Sequence, residues 1–203
     1  MTSKGSVFVV GGDRMISSMF FERGYMIEKR QQEADIICFI GGWDINPQLY
    51  GQKVNPEAHV NVDESDDVRD IEAWKKSTHQ QVKVGICRGG QFLNAMSGGK
   101  LYQHVSGHTQ EHKVYDVIWG KELRVASSHH QMMIPSASGE ILAYAEDLGS
   151  NFMTDKGLVE KPAQEAEVVW YQGTKSLCYQ GHPEWNPAQG RDYFFDLLEM
   201  VRG

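Results

Sequence analysis

The sequence predicts an α/β fold: a three-layer sandwich with a mostly parallel central sheet, a nucleophile elbow and a small antiparallel subsheet. Three observations predict it. Short apolar runs alternate with helix-patterned segments through the first half. Three loops rich in glycine, "GGDR" (11–14), "GGWDINP" (41–47) and "CRGG" (87–90), follow such runs, where ligands of parallel sheets bind, and are expected to converge. From Val114 to Gln180 strand follows strand, joined by "SG", "KG" and "GTK" turns, so an antiparallel edge or subsheet is expected there.

Taken in order, "SVFVV" (6–10), "ADIICFI" (34–40) and "VKVGI" (82–86) are nearly apolar throughout, as strands covered on both faces must be. Between them, "DRMISSMFFERG" sets Met15, Met19 and Phe20 on one helical face and stops at Gly24. The segment "DESDDVRDIEAWKKSTHQQ" (63–81) is acidic at its start and basic towards its end, which matches the helix dipole and reads as a solvated helix start. "GGQFLNAMSGG", after Cys87, predicts a helix ending at Gly98-Gly99. "VYDVIW" (114–119), "LRVASS" (123–128), "EILAYAE" (140–146), "EVVWYQ" (167–172) and "SLCYQ" (176–180) are the later strands. A last helix begins with Pro187 and aligns Tyr193, Phe194, Leu197, Leu198 and Val201 in one stripe.

A chain of 203 residues, 40% hydrophobic, suits one domain spanning 1–203 with a substantial core. Its net charge of −7, without a lysine- or arginine-rich block, argues against nucleic-acid and anionic-membrane surfaces, which need a positive field. The apolar stretch Val7 to Val10 is too short for a signal peptide or a membrane span. Three cysteines, Cys38, Cys87 and Cys178, cannot all pair, and so sparse a set predicts a reducing, cytoplasmic location.

The chemistry centres on "GICRG", Gly85 to Gly89, which has the small-x-nucleophile-x-small form of a strand-to-helix elbow. Such a turn strains the nucleophile's backbone and excludes bulky neighbours. The helix N-terminus beneath the sulfur favours the thiolate, and the Arg88 N–H can donate to an oxyanion. A buried cysteine after a strand, with glycines making an ordinary turn, would leave the same residues, so partners must be sought. "YQGHPEW" supplies them: His182 and Glu184 lie two apart, and in an extended segment they point the same way, with Pro183 stiffening the pair. "FIGGWDINP" follows a strand with two glycines that leave the backbone free to approach an acyl group; a plain Gly-Gly turn is the alternative.

Together these pieces resemble the class I glutamine amidotransferase family, with its Cys-His-Glu triad. "GICRGGQ" resembles the family's elbow, "GHPEW" its His-Pro-Glu and "FIGGWDINPQLYG" its oxyanion strand and loop. "GGWDINPQLYG" (41–51), "DDVRDIEAW" (66–74) and "SSHHQMM" (127–133) are most similar to the γ-glutamyl hydrolase-like branch that includes γ-glutamyl-γ-aminobutyrate hydrolases. The resemblance implies Cys87 as nucleophile, His182 as general base then acid, and Glu184 as its orienter. It implies Gly42 and Arg88 as oxyanion donors, with Gly41, Gln91, His130 and Gln131 on the substrate side. Gly90 and Gly181 are smaller than the residues common at those places. The implied reaction cleaves the γ-amide of glutamine or a γ-glutamyl amine through a γ-glutamyl thioester, with a small-molecule substrate and neither metal nor cofactor. An alternative is a glutaminase subunit that passes ammonia to a separate synthetase partner; a non-catalytic binding relative is the third reading.

Other signals are set aside. His104, His108 and His112 are spaced by four, but Gly107 interrupts a helix and no carboxylate or thiol beyond Glu111 completes a ligand set, so no metal site is expected. Cys38 and Cys178 read as small core residues. Arg69 and Asp70 are considered for ordering the oxyanion loop, and Trp43 and Trp185 for lining the pocket.

Overall fold

The runs of β-branched residues predicted as buried strands form the parallel half of a nine-stranded sheet: β1 (Ser6–Val9), β3 (Ile36–Phe39), β4 (Val82–Ile86) and β14 (Ser176–Tyr179), with the short β2 (Met26–Ile27) outside β1. The structure, a computed structural model, describes residues 4–185 and 188–203; Pro187, predicted to open the last helix, lies outside them. From β14 the sheet continues antiparallel through β13 (Glu165–Tyr171), β10 (Glu140–Ala145), β7 (His112–Asp116) and β8 (Lys121–Val125). The expected antiparallel part is therefore a large extension of the main sheet. Small antiparallel sheets stand beside it, one pairing β5 (Lys100–Tyr102) with β9 (Met132–Ile134), the other setting β11 (Ser150–Thr154) between β6 (His104–Ser106) and β12 (Gly157–Leu158).

Alternation along the strands builds two cores. Val7, Val9, Ile36, Cys38 and Val84 face α1 (Arg14–Glu22) and α4 (Ala188–Arg202), where Phe20, Phe194 and Phe195 pack edge to face. Ile37, Phe39 and Cys178 face the other layer, α2 (Glu64–Lys76) and α3 (Arg88–Met96), through Ala73, Phe92 and Leu93. Cys38 and Cys178 are thus core residues, free and fully buried. Asp13 caps α1 by accepting from the Ile16 N–H at 2.8 Å, and Asp63 caps α2 through the Ser65 N–H. The second helix ends at Lys76, earlier than the predicted 81, because Ser77 closes it with its N–H and hydroxyl on the Trp74 carbonyl. Among the described residues no helix is long and apolar enough to cross a membrane.

The neighbouring order β3, β4, β14 sets three carboxyl ends side by side: Gly41-Gly42 after β3, Cys87 after β4 and His182 beyond β14. The 11–14 loop sits one strand further out. A side chain at Gly11 would meet Ile40 and Arg69, and this loop does not line the pocket at Cys87, so the predicted convergence holds for two of the three loops.

Candidate active site

Cys87 joins β4 to α3 with φ 52° and ψ −113°, a left-handed φ that a residue with a Cβ adopts only under constraint. The constraint is visible in the glycines. A Cβ at Gly85 would stand 2.2 Å from the Gly89 carbonyl oxygen, and one at Gly89 would stand 2.3 Å from that of Phe39. At Gly90 it would stand 2.9 Å from the Tyr179 oxygen, which explains the small residue there. The first turn of α3 thus lies directly on the ends of β3, β4 and β14. The Cys87 N–H donates to the Tyr179 carbonyl at 2.8 Å, while the Arg88 and Gly42 N–H groups donate to no acceptor among the described residues.

His182 is buried beside the thiol. Its Nδ1 donates to Glu184 Oε1 at 2.7 Å, leaving Nε2 for Cys87 and for the Ser128 hydroxyl at 3.3 Å. Burial opposes the imidazolium, but the hydrogen bonds and charges of Cys87 and Glu184 prevail and raise its pKa to about 10. The Trp185 indole stacks on the ring, 3.8 Å between centroids and 7° between planes. The segment is not extended as the sequence predicts. Pro183 and Glu184 form a turn closed by the Trp185 N–H on the His182 carbonyl at 3.2 Å, and this turn still brings Glu184 to Nδ1. Arg191 of α4 clamps it by donating to the Pro183 and Glu184 carbonyls, both at 3.0 Å. Gly181 lies where a Cβ would come within 2.9 Å of the Ala126 carbonyl oxygen, so the backbone of 125–126 crowds out any larger residue.

Gly42 is required by what surrounds it, whereas Gly41 has room for a Cβ at ordinary contact distance. A Cβ on Gly41 would touch His182 at 3.5 Å and Cys87 at 3.9 Å; one on Gly42 would meet Asp66 at 2.7 Å and Arg88 at 3.1 Å. The Arg88 side chain is buried and runs under the loop to Asp67, at 2.5 Å, and to Asp70. Asp67 also accepts the Asn46 N–H at 3.1 Å, and Arg69 pairs with Asp66 and Asp70. The start of α2, expected to be solvated, instead pins the elbow to the 41–47 loop. No local signal marks this, since an acidic first turn already suits the helix dipole.

Gly42, Asp44, Arg88, Gln91, Ser128 to Gln131 and Trp185 line a pocket of about 260 Å³ around Cys87 and His182. Gln91 donates to the Gln131 carbonyl at 3.0 Å. His130 Nε2 lies 3.0 Å from Asp44 Oδ1, and this hydrogen bond raises its pKa. Trp43 is exposed and outside the pocket lining. Asp44, Ser128 and Arg191 are site residues that sequence reasoning missed: the first two lie inside quoted motifs but were not singled out, and no motif marks Arg191. His104, which the spacing of four grouped with His108 and His112, stands apart from them and meets His130, Nδ1 to Nδ1 at 3.4 Å. His108 and His112 do find a carboxylate, Glu167, along with His129, so the reasoning that no such group completes their set is overturned.

The arrangement can hold a thiolate against an imidazolium, offer two backbone donors to an oxyanion and pass a proton through one imidazole. The chain matches the Peptidase C26 family over residues 21–160, a stretch that includes the elbow and the 41–47 loop and stops before His182. It is 34% identical over 185 residues to the "Putative glutamine amidotransferase-like protein YvdE" of Lactococcus lactis strain IL1403, covering 81% of this chain and 72% of that protein. Over 76 residues, 36% of this chain, it is 40% identical to a fission yeast protein named "Putative glutamine amidotransferase PB2B2.05". That match spans only 29% of the yeast protein's length, and a similar one spans 38% of a second L. lactis protein. Among solved structures, a glutamine amidotransferase from Thermotoga maritima superposes with a TM-score of 0.60 at 15% identity, covering 98% of this chain and 86% of the other. A "putative gmp synthase subunit a protein" from Thermoplasma acidophilum gives 0.67 at 15% identity, covering 99% and 96%. At such identities these structures speak for the fold.

Proposed function

The chain belongs to the Peptidase C26 family of glutamine amidotransferase-like proteins, and from that premise we propose that it is a thiol hydrolase that cleaves the γ-amide of glutamine or of a γ-glutamyl amine. One observation carries the reading: His182 is held between Cys87 and Glu184 with its imidazolium favoured by both.

The Cys87 thiolate attacks the γ-carbonyl carbon and forms a carbon–sulfur bond, and the carbonyl oxygen takes the negative charge. The N–H groups of Gly42 and Arg88 hold that oxyanion. His182 gives its Nε2 proton to the departing nitrogen as the carbon–nitrogen bond breaks, leaving a γ-glutamyl thioester and ammonia or a free amine. A water molecule then surrenders a proton to the neutral His182 and adds to the thioester, and collapse releases glutamate and restores the thiolate–imidazolium pair. Glu184 keeps the Nδ1–H donated throughout, which fixes the tautomer. Gly41 keeps the wall against His182 thin enough for substrate to approach. Gln91, His130 and Gln131 bind the amino-acid end, with Asp44 orienting the His130 ring.

A second reading, a glutaminase subunit feeding ammonia to a synthetase partner, is favoured by the fold shared with the T. acidophilum protein. Both are tested by measuring glutamate release from glutamine and from a panel of γ-glutamyl amines, beside Cys87→Ala. Turnover of a γ-glutamyl amine that vanishes in the variant supports the free-standing hydrolase. Activity on glutamine alone, or only with an added synthetase, supports the second reading. Silence on every substrate, with Cys87 inert to a thiol-reactive probe, rejects both.

A further inference from the structure

Away from Cys87, three histidines and a glutamate meet in the layer between β7 and β13. We propose that His108, His112, His129 and Glu167 form a closed structural site for a divalent transition-metal ion of the zinc type. This does not depend on the hydrolase reading.

The four ligand atoms all lie within 4.8 Å of one another, and all four residues are buried. Around Glu167 Oε1 stand His108 Nδ1 at 2.9 Å, His112 Nε2 at 3.1 Å and His129 Nε2 at 3.5 Å. Ligand bonds of about 2.0–2.1 Å in a tetrahedron put neighbouring ligand atoms about 3.3 Å apart, which these spacings bracket.

Hydrogen bonding on the far side of each ring strengthens the case. His108 Nε2 donates to Glu165 Oε2 at 2.8 Å, while His112 Nδ1 and His129 Nδ1 donate to the Gln110 and Gln131 carbonyls, both at 2.9 Å. In the neutral rings those bonds fix the tautomers and turn the three near nitrogens into lone pairs. His112 Nε2 also lies within hydrogen-bond distance of Glu167 Oε1, at 3.1 Å, and in this tautomeric state three lone pairs and a carboxylate converge on one buried point, an arrangement that a bound cation stabilises. His108 Nδ1, His129 Nε2 and Glu167 Oε2 have no hydrogen-bond partner among the described residues, despite the short approaches of the first two to Oε1. A network of protons alone would aim N–H groups along those lines. Outer carboxylate and carbonyl partners of this kind are how metal-bound imidazoles are oriented, and the imidazole and carboxylate set suits zinc rather than calcium or magnesium.

Four protein ligands leave no open position, so the ion's role is to brace. His129 directly follows Ser128 and precedes His130, both on the pocket wall, and the Glu167 carbonyl accepts the Gln180 N–H at 2.8 Å on the path to His182. The ion would tie the pocket wall to β13, whose Glu167 carbonyl holds the segment that leads to His182.

The test uses untagged full-length protein produced in zinc-supplemented medium. Metal content is read by mass spectrometry, and chelator-treated protein is titrated with Co²⁺ while its visible absorption is followed. The expected result is about one zinc per chain, intense tetrahedral Co²⁺ bands, and at least tenfold weaker binding in both His112→Gln and Glu167→Gln. Wild-type protein with under about a tenth of an equivalent of zinc and no such bands overturns the proposal. So does equal binding by wild type and both variants. Should either variant fail to fold, the wild-type zinc content and Co²⁺ spectrum decide alone.

Discussion

Gly89→Ala tests whether backbone contact holds the nucleophile in place. The added Cβ would stand 2.3 Å from the Phe39 carbonyl oxygen and 2.5 Å from its carbon. Ordinary contact begins near 3.4 Å, so α3 and β3 must part by about 1 Å (3.4 − 2.3). Overpacking of a rigid core costs about 1–3 kcal/mol, and two backbones, which have no rotamer to change, lie at the upper end. Replacing a helical glycine by alanine returns about 1 kcal/mol, so the net loss is about 2 kcal/mol. Function is hit harder, because displacing a reacting group by about 1 Å costs on the order of a hundredfold. Urea unfolding followed by tryptophan fluorescence reads the first quantity; the rates of Cys87 alkylation and glutamate release read the second. Gly173→Ala is the control, since a Cβ there meets nothing within 4 Å, and its stability should stay within about 0.5 kcal/mol of wild type. A Gly89→Ala protein as stable and as reactive as the control would refute the account of the elbow.

Other expectations follow from the same geometry. Arg88→Met leaves the oxyanion N–H in place but strands Asp67 as a buried carboxylate without an ion-pair partner and leaves Asp70 to Arg69 alone. It should cost about 3–5 kcal/mol in urea unfolding at pH 7, less at pH 4, where Asp67, whose pKa burial raises, can take up a proton. Because the pKa of His182 is raised to about 10, its contribution to stability is complete below pH 6.5 and is lost as pH rises through 10. The alkaline limb of amine release should likewise fall only near pH 10 in wild type, and at lower pH in Glu184→Gln, which removes one upward influence; identical limbs would contradict this. Trp185→Ala removes a ring stacked on the imidazole and should lower kcat about fivefold with little change in KM, with Trp185→Phe restoring part of the loss.

Long or strongly patterned elements were legible in the sequence. The apolar runs at 6–10, 34–40 and 82–86 became the parallel strands, and the stripe from Tyr193 to Val201 became the inner face of the last helix. Two- and three-residue strands such as Met26–Ile27 and Met132–Ile134 were not, because so short a segment holds no period and is fixed by its partner. The triad candidates were legible because the elbow and the His-Pro-Glu turn are local: their spacing is set by one turn of chain. The Arg88 network was not, since its carboxylates lie 18 and 21 residues away and an acidic helix start has a sufficient local explanation. Glu167 lies 55 residues from His112, beyond the reach of any spacing argument.

That division of signals follows the division of labour in the sheet. The parallel half presents Cys87 and the 41–42 backbone at adjacent strand ends, and Arg88 locks the elbow to α2 and, through Asp67, to Asn46. The antiparallel extension contributes the other wall, Ser128 to Gln131, on a segment with little regular structure of its own. Such a segment holds its shape only through side chains: Ser127 on the His108 carbonyl, His129 in the buried cluster, His130 on Asp44. Substitutions among His108, His112 and Glu167 should therefore act on substrate choice and KM before they act on the reactivity of Cys87. Substitutions of Asp67 or Asp70 should do the reverse. Alkylation rate and KM, measured together on the two sets, separate them. A shared pattern across both sets would mean that the wall and the elbow move as one body, and that the pocket's shape cannot be tuned apart from its chemistry.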